Sequence, residues 1–102
     1  MTTQTLNATS LASIRSEKAR GYLVQLCKHF AHKIETTHAD NRGRLAFDGG
    51  VCDLNAADPN VLIAQVSTSD PAKLATLEDV IERHLKRFAF KEELSVQWVR
   101  EN

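Results

Sequence analysis

A cysteine and two histidines stand close together at Cys27, His29 and His32, in the pattern Cys-x-His-x-x-His. Thiolate and imidazole are the usual soft and borderline metal ligands, so the spacing first suggests a metal site. Helical geometry argues against all three acting together. At about 100° per residue, Cys27 and His29 point roughly 160° apart. His29 and His32 are three residues apart and share a face, but two ligands make an incomplete site. A third histidine, His84, lies far along the chain, followed by Arg87, Glu92 and Glu93. That group reads as an anion or metal corner, or as a salt-linked turn. Paired carboxylates there could do acid–base work if their separation allowed it. The competing reading is structural: Cys27 as a small buried hydrophobe, His29 and His84 as boundary residues of packed helices.

The elements that would position these groups can be read from periodicity. Ala8 to Ile14 is small and β-branched and predicts a strand. Ser16 is a helix N-cap, and Ala19, Tyr22, Leu23, Leu26, Cys27 and Phe30 repeat as one face of a helix ending near His32. Ile34 to His38 is a short strand, and turn residues fill Ala39 to Gly43. Leu45 and Phe47, then Cys52 and Leu54, alternate on either side of Gly49-Gly50, which predicts a hairpin turning there. Asp58-Pro59-Asn60 is a turn, and Val61 to Val66 reads as a central strand. Asp70 caps a second helix with Pro71 at its first position, and Leu74, Leu77, Ile81, Leu85 and Phe88 form its inward stripe. Asp79 with Arg83 and Glu82 with Lys86 are i,i+4 ion pairs on its outer face. Leu94, Val96 and Trp98 alternate as a final strand. The order β-α-β-β-β-β-α-β predicts a two-layer α+β sandwich, an antiparallel sheet with both helices on one face.

Four strands between the helices make them antiparallel. Each helix carries a histidine on the same-handed flank of its stripe, so the two flanks both face the groove between the helices or both face outward. In the first case His29 and His84 share a groove with His32 at its rim. Leu23 and Cys27 lie on the other flank of the first helix and favour the second case.

With 102 residues the chain is expected to form a single domain over residues 1–102, frayed over 1–6. Thirteen basic residues balance thirteen acidic ones, which gives no electrostatic reason to bind nucleic acid or an anionic membrane. No apolar run approaches a membrane span, and the first residues lack a secretory pattern, so the expected location is cytoplasmic. Cys27 and Cys52 are expected as two reduced thiols. No Walker loop, dinucleotide glycine fingerprint or Gly-x-Ser-x-Gly elbow is present.

Three blocks carry a family resemblance. The first is Cys27, His29, His32 and Lys33. The second is His84, Leu85, Arg87, Ala89, Phe90, Glu92, Glu93 and Leu94. The third is Gly43, Leu45 and Phe47 between them. Together they resemble the bacterial family catalogued as domain of unknown function 2218, over most of the chain beyond residue 8. The resemblance implies no activity. It implies an association with iron or siderophore metabolism, because relatives occur beside or fused to siderophore-interacting flavoprotein domains.

The expected function is therefore a small binding or accessory module, engaging a metal ion, an iron chelate or a flavoprotein partner. Its candidate ligand-binding residues are His29, His32, His84, Arg87, Glu92 and Glu93, with His29 and His84 as candidate metal ligands. The alternatives are a structural or homodimeric interaction module with no ligand, pairing through the sheet surface or an edge strand, and, more weakly, a small enzyme pairing His84 with Glu92 or Glu93.

Overall fold

In a computed structural model, residues 8–101 are described. The expected fraying of residues 1–6 lies outside them. The described residues form six strands and two α-helices: β1 (Ala8–Arg15), α1 (Ala19–Phe30), β2 (Glu35–Ala39), β3 (Arg42–Phe47), β4 (Gly50–Asn55), β5 (Val61–Thr68), α2 (Leu74–Phe88) and β6 (Val99–Glu101). A 3-10 turn over Pro71–Lys73 leads into α2. The strands make one sheet in the order β2-β3-β4-β5-β1-β6, with every neighbouring pair antiparallel. The predicted order and layering hold.

The period-2 alternation of the strands decides which face is covered. Along β5 every second residue, Leu62, Ala64, Val66 and Thr68, is buried. Ala8, Ser10, Ala12 and Ile14 do the same along β1. This face carries both helices, with α1 over β2 and β3 and α2 over β5 and β1. The stripes are those the periodicity names. Ala19, Tyr22, Leu23, Leu26, Cys27 and Phe30 are buried on α1, and Leu74, Leu77, Ile81 and Leu85 on α2. Each fully buried leucine contributes about 1.5–3 kcal/mol of transfer free energy, so these stripes fix where the helices lie. Cys27 and Cys52 are both free and buried.

The helix entrances are satisfied locally. Ser16 Oγ accepts the Lys18 N–H at 3.0 Å, one turn before α1 proper. Asp70 accepts the Ala72 N–H at 3.0 Å, with Pro71 at the position where its missing donor costs nothing. The outer face of α2 carries both predicted pairs, Arg83–Asp79 at 2.7 Å and Lys86–Glu82 at 2.8 Å.

Several boundaries differ from the sequence reading: Lys18, not Ser16, sits at the α1 N-cap, and Ala39, Arg42 and Gly43, read as turn, belong to β2 and β3. The β3–β4 hairpin turns at Asp48-Gly49, not Gly49-Gly50. Gly49 takes the positive φ of 90°, and Gly50 already pairs with Phe47. Helix α1 ends at Phe30, so His32 sits in the turn beyond it. The last strand is not Leu94 to Trp98 but Val99–Glu101. Leu94, Val96 and Trp98 do point inward, and the Trp98 indole N–H donates to Glu82 on α2 at 3.1 Å. Their alternation reports packing of an extended stretch that crosses from α2 to the sheet edge. It meets β1 and its backbone hydrogen bonds only at Val99.

Candidate functional site

The packing of α1 against β3 sets the direction of His29. Gly43 lies directly beneath Cys27, where an added Cβ would come within 2.6 Å of the Cys27 Sγ. With Cys27 turned to the sheet, His29 is carried to the side that faces α2. There its ring meets that of His84, with centroids 4.7 Å apart. The helices therefore present their histidine flanks to the shared groove. Leu23 and Cys27, which favoured the outward arrangement, are accommodated by the missing side chain at Gly43.

The rest of the groove is aromatic. Phe30 packs 4.8 Å from His84 and 5.2 Å from Phe47, and Phe88 lies 5.9 Å from His29. His84 Nδ1 is 2.6 Å from the Val80 carbonyl oxygen. A carbonyl only accepts, so Nδ1 is the donor of this bond and Nε2 is turned away from it. His29 Nε2 is buried and has no hydrogen-bond partner among the described residues. Burial pushes the His29 imidazole below its ordinary value. The charges of His84, Lys33, Arg87 and His32 push it the same way. Burial thus favours the neutral form of His29, and every charged group acting on it is cationic.

The remaining candidates are placed differently. His32 is exposed and acts on His29 only through its charge. Arg87 is also exposed, and it forms no ion pair among the described residues, so the expected salt-linked corner is not made. Glu93 is exposed. Glu92 does not reach His84. Its Oε2 accepts the hydroxyls of Tyr22 and of Ser16, the latter at 2.9 Å. Tyr22 lies seven residues before His29 on α1, and Glu92 lies eight after His84, beyond the end of α2. The two corners therefore mark opposite ends of α1, with the C-terminal part of α2 and its continuation running past both.

At the Glu92 corner the hydrogen bonds are complete. The Tyr22 hydroxyl is pushed up to about 12, by burial first and then by its bond to Glu92. The Tyr22 hydroxyl, with Ser16, holds the Glu92 carboxyl below the usual carboxylate range. Sequence reading missed this network. The available signal was the chain's single tyrosine on an inward stripe, because a buried phenol needs a partner. It also missed the mostly buried Glu78 on the inner side of α2, which Arg100 of β6 grips with two nitrogens at 2.8 and 3.0 Å. That grip lowers the Glu78 pKa against the opposing effect of burial.

No group of three or more His, Cys, Asp or Glu among the described residues is arranged to hold a metal. A surface depression of about 580 Å³ is on the uncovered side of the sheet between Thr37, Arg42, Arg44, Asn55 and Gln65. It is wide and shallow, and Arg44 within it is already paired with Asp53 at 2.8 Å. The buried, unpartnered imidazole nitrogen is on the helix side.

Two antiparallel helices over one face of a six-stranded antiparallel sheet, with paired imidazoles between them, define a small α+β sandwich domain. The chain belongs to the bacterial family described as uncharacterized protein conserved in bacteria, domain of unknown function 2218, whose family model matches residues 11–99. It is similar to PA4090 from Pseudomonas aeruginosa, solved by NMR, at 32% identity over 91% of this chain and 96% of that one, with a TM-score of 0.77. No curated protein matches it.

Proposed function

We propose that this domain is a binding module that captures an anionic metal chelate at the His29–His84 groove. The observation that carries the reading is the buried, unpartnered Nε2 of His29 beside the ring of His84. A buried nitrogen without a partner costs about 1–3 kcal/mol, and a cost of that kind is tolerated where a ligand is to be bound. Two imidazoles supply two coordination positions, so the metal must bring its other ligands with it. A chelate meets that need. The cations around His29, namely Lys33, Arg87 and His32, suit the negative oxygens of a carboxylate, hydroxamate or catecholate chelator. The phenylalanines Phe30, Phe47 and Phe88 give its organic part an apolar wall. Assignment of the metal as iron, and of the setting as siderophore metabolism, rests on the family resemblance. The same resemblance supplies the flavoprotein as partner.

Calorimetric titration with ferric citrate, with Zn(II) and with citrate alone tests the reading. Wild type should bind ferric citrate, and the His29→Ala/His84→Ala variant should bind it at least about tenfold more weakly, as loss of inner ligands entails. Equal binding by both proteins, or binding by neither, rejects the proposal. Equal affinity for citrate with and without iron would leave an anion site and remove the metal from it.

A further inference from the structure

The side of the sheet away from the helices is covered by none of the described residues, and its own residues can be placed from the strand register. Three cross-strand rows share this face. The first contains Glu35, Ala46, Val51, Ser67, Thr9 and Glu101. The middle row contains Arg44, Asp53, Gln65, Leu11 and Val99. The third contains Arg42, Asn55, Ile63 and Ser13, with Arg15 and Val61 one step beyond. The face is therefore polarised along the strands. Glu35 and Glu101 stand at one end, and Arg42 and Arg15 at the other. All four are exposed and none has an ion-pair partner among the described residues. Between them lie Leu11, Val51, Val61 and Ile63, all only half-buried, and Val99, which is 65% exposed. Arg44 and Asp53 in the middle row neutralise each other.

We infer that this face packs against the same face of a second copy, forming a two-fold β-sandwich. A two-fold axis lying in the interface and running across the strands, near the middle row, turns one copy end for end. It keeps β2 opposite β2 and β6 opposite β6. The acidic end of one copy then lies over the basic end of the other. Glu35 meets Arg42 of the second copy on one side, and Glu101 meets Arg15 on the other, each pair formed twice by symmetry. Sheets stacked face to face stand about 10 Å apart, a gap that an arginine and a glutamate span together. A two-fold axis perpendicular to the sheet cannot bring these faces together. An in-plane axis along the strands would set the acidic ends against each other. Charge complementarity thus selects a single arrangement of a second copy. From strand spacing and rise, the contact covers on the order of 500 Å² per protomer, the lower end for a specific interface. The dimer is accordingly modest in affinity and weakened by salt.

Sedimentation equilibrium tests it, with three proteins. Wild type should self-associate, with the association weakening as salt rises. The Arg15→Glu/Arg42→Glu variant has two acidic ends, and the Glu35→Lys/Glu101→Lys variant has two basic ones. Each should associate at least about tenfold more weakly than wild type by like-charge repulsion. An equimolar mixture of the two variants should recover association as a mixed pair. All four substituted positions are exposed, and circular dichroism checks that each variant is folded. A wild type that stays monomeric at all concentrations overturns the inference. So does a dimer that both charge variants form as readily as wild type, which would instead indicate pairing through the β2 or β6 edge. Failure of the mixture to associate overturns it as well.

Discussion

The two ends of α1 face the same problem and solve it differently. Each brings polar side chains of α1 against residues of α2 or its C-terminal continuation. At the Tyr22 end, one oxygen of the exposed Glu92 carboxylate accepts two hydroxyls, and both hydroxyls have a partner. At the His29 end, an imidazole nitrogen is buried among aromatic rings and has none among the described residues. The first end ties the chain beyond α2 to the start of α1. The second spends stability, and that difference is what supports the proposed binding there. A network that is complete stabilises. A buried group left open is costly unless function retains it.

The largest effect comes from beneath both ends. Leu85→Ala removes a fully buried side chain from the stripe that seats α2, and should cost about 2–5 kcal/mol in denaturant titration. It should also reduce ligand binding and perturb Tyr22, because both corners depend on α2. A loss below about 0.5 kcal/mol would mean that α2 does not position them.

Tyr22→Phe separates the corners. It should cost about 0.5–1.5 kcal/mol, the net value of one hydrogen bond, and leave binding at the His29 end unchanged. A loss of binding equal to that of the histidine variant would merge the two corners into one site.

The pH profile sharpens the contrast at the Tyr22 end. Tyr22 rises to about 12 in the folded chain, against about 10 when unfolded. Its contribution is complete below the unfolded value and is lost as pH rises from there through the folded one. Glu92 is lowered in the folded chain, so its contribution is complete above about pH 4.3, the ordinary carboxylate value, and is lost as pH falls. Tyr22→Phe should flatten the alkaline limb and Glu92→Gln the acid limb. As Tyr22 is the only tyrosine, tyrosinate absorbance reads its titration directly. A midpoint near the unfolded value would show that the bond to Glu92 is not made.

The smallest effect on stability is expected at the open end. His29→Leu replaces an unpartnered buried nitrogen with an apolar side chain, and thermal unfolding should show stability unchanged or raised by up to about 1 kcal/mol. Ferric citrate binding should nonetheless fall. A substantial destabilisation would identify His29 as a structural group.

Much of this was legible because it depends on local patterning. The apolar stripes of α1 and α2 follow from spacing alone, since a side chain's face on a helix is fixed by its position in the repeat. So did the presence of strands β1 and β5, the Asp70–Pro71 entrance and the exposed ion pairs of α2. The final strand was misplaced because alternation at Leu94, Val96 and Trp98 records which side chains are buried. It does not record which backbone has a neighbour to bond. The pairing of Glu92 with Tyr22 and Ser16 was illegible for a related reason. The partners are 70 and 76 residues apart, and no spacing rule connects them.

The histidine groove shows where the division falls. The sequence alone placed His29 and His84 on matching flanks of two antiparallel helices, because helical period and strand parity are properties of the chain. Whether those flanks face each other depends on the rotation of α1 about its axis. That rotation is decided by the whole contact surface, and above all by the close approach of Cys27 to β3 at Gly43, where a side chain would collide with the thiol. A glycine's role of that kind exists only once the layers are packed, so the tertiary structure, and not the sequence pattern, brings the two imidazoles together.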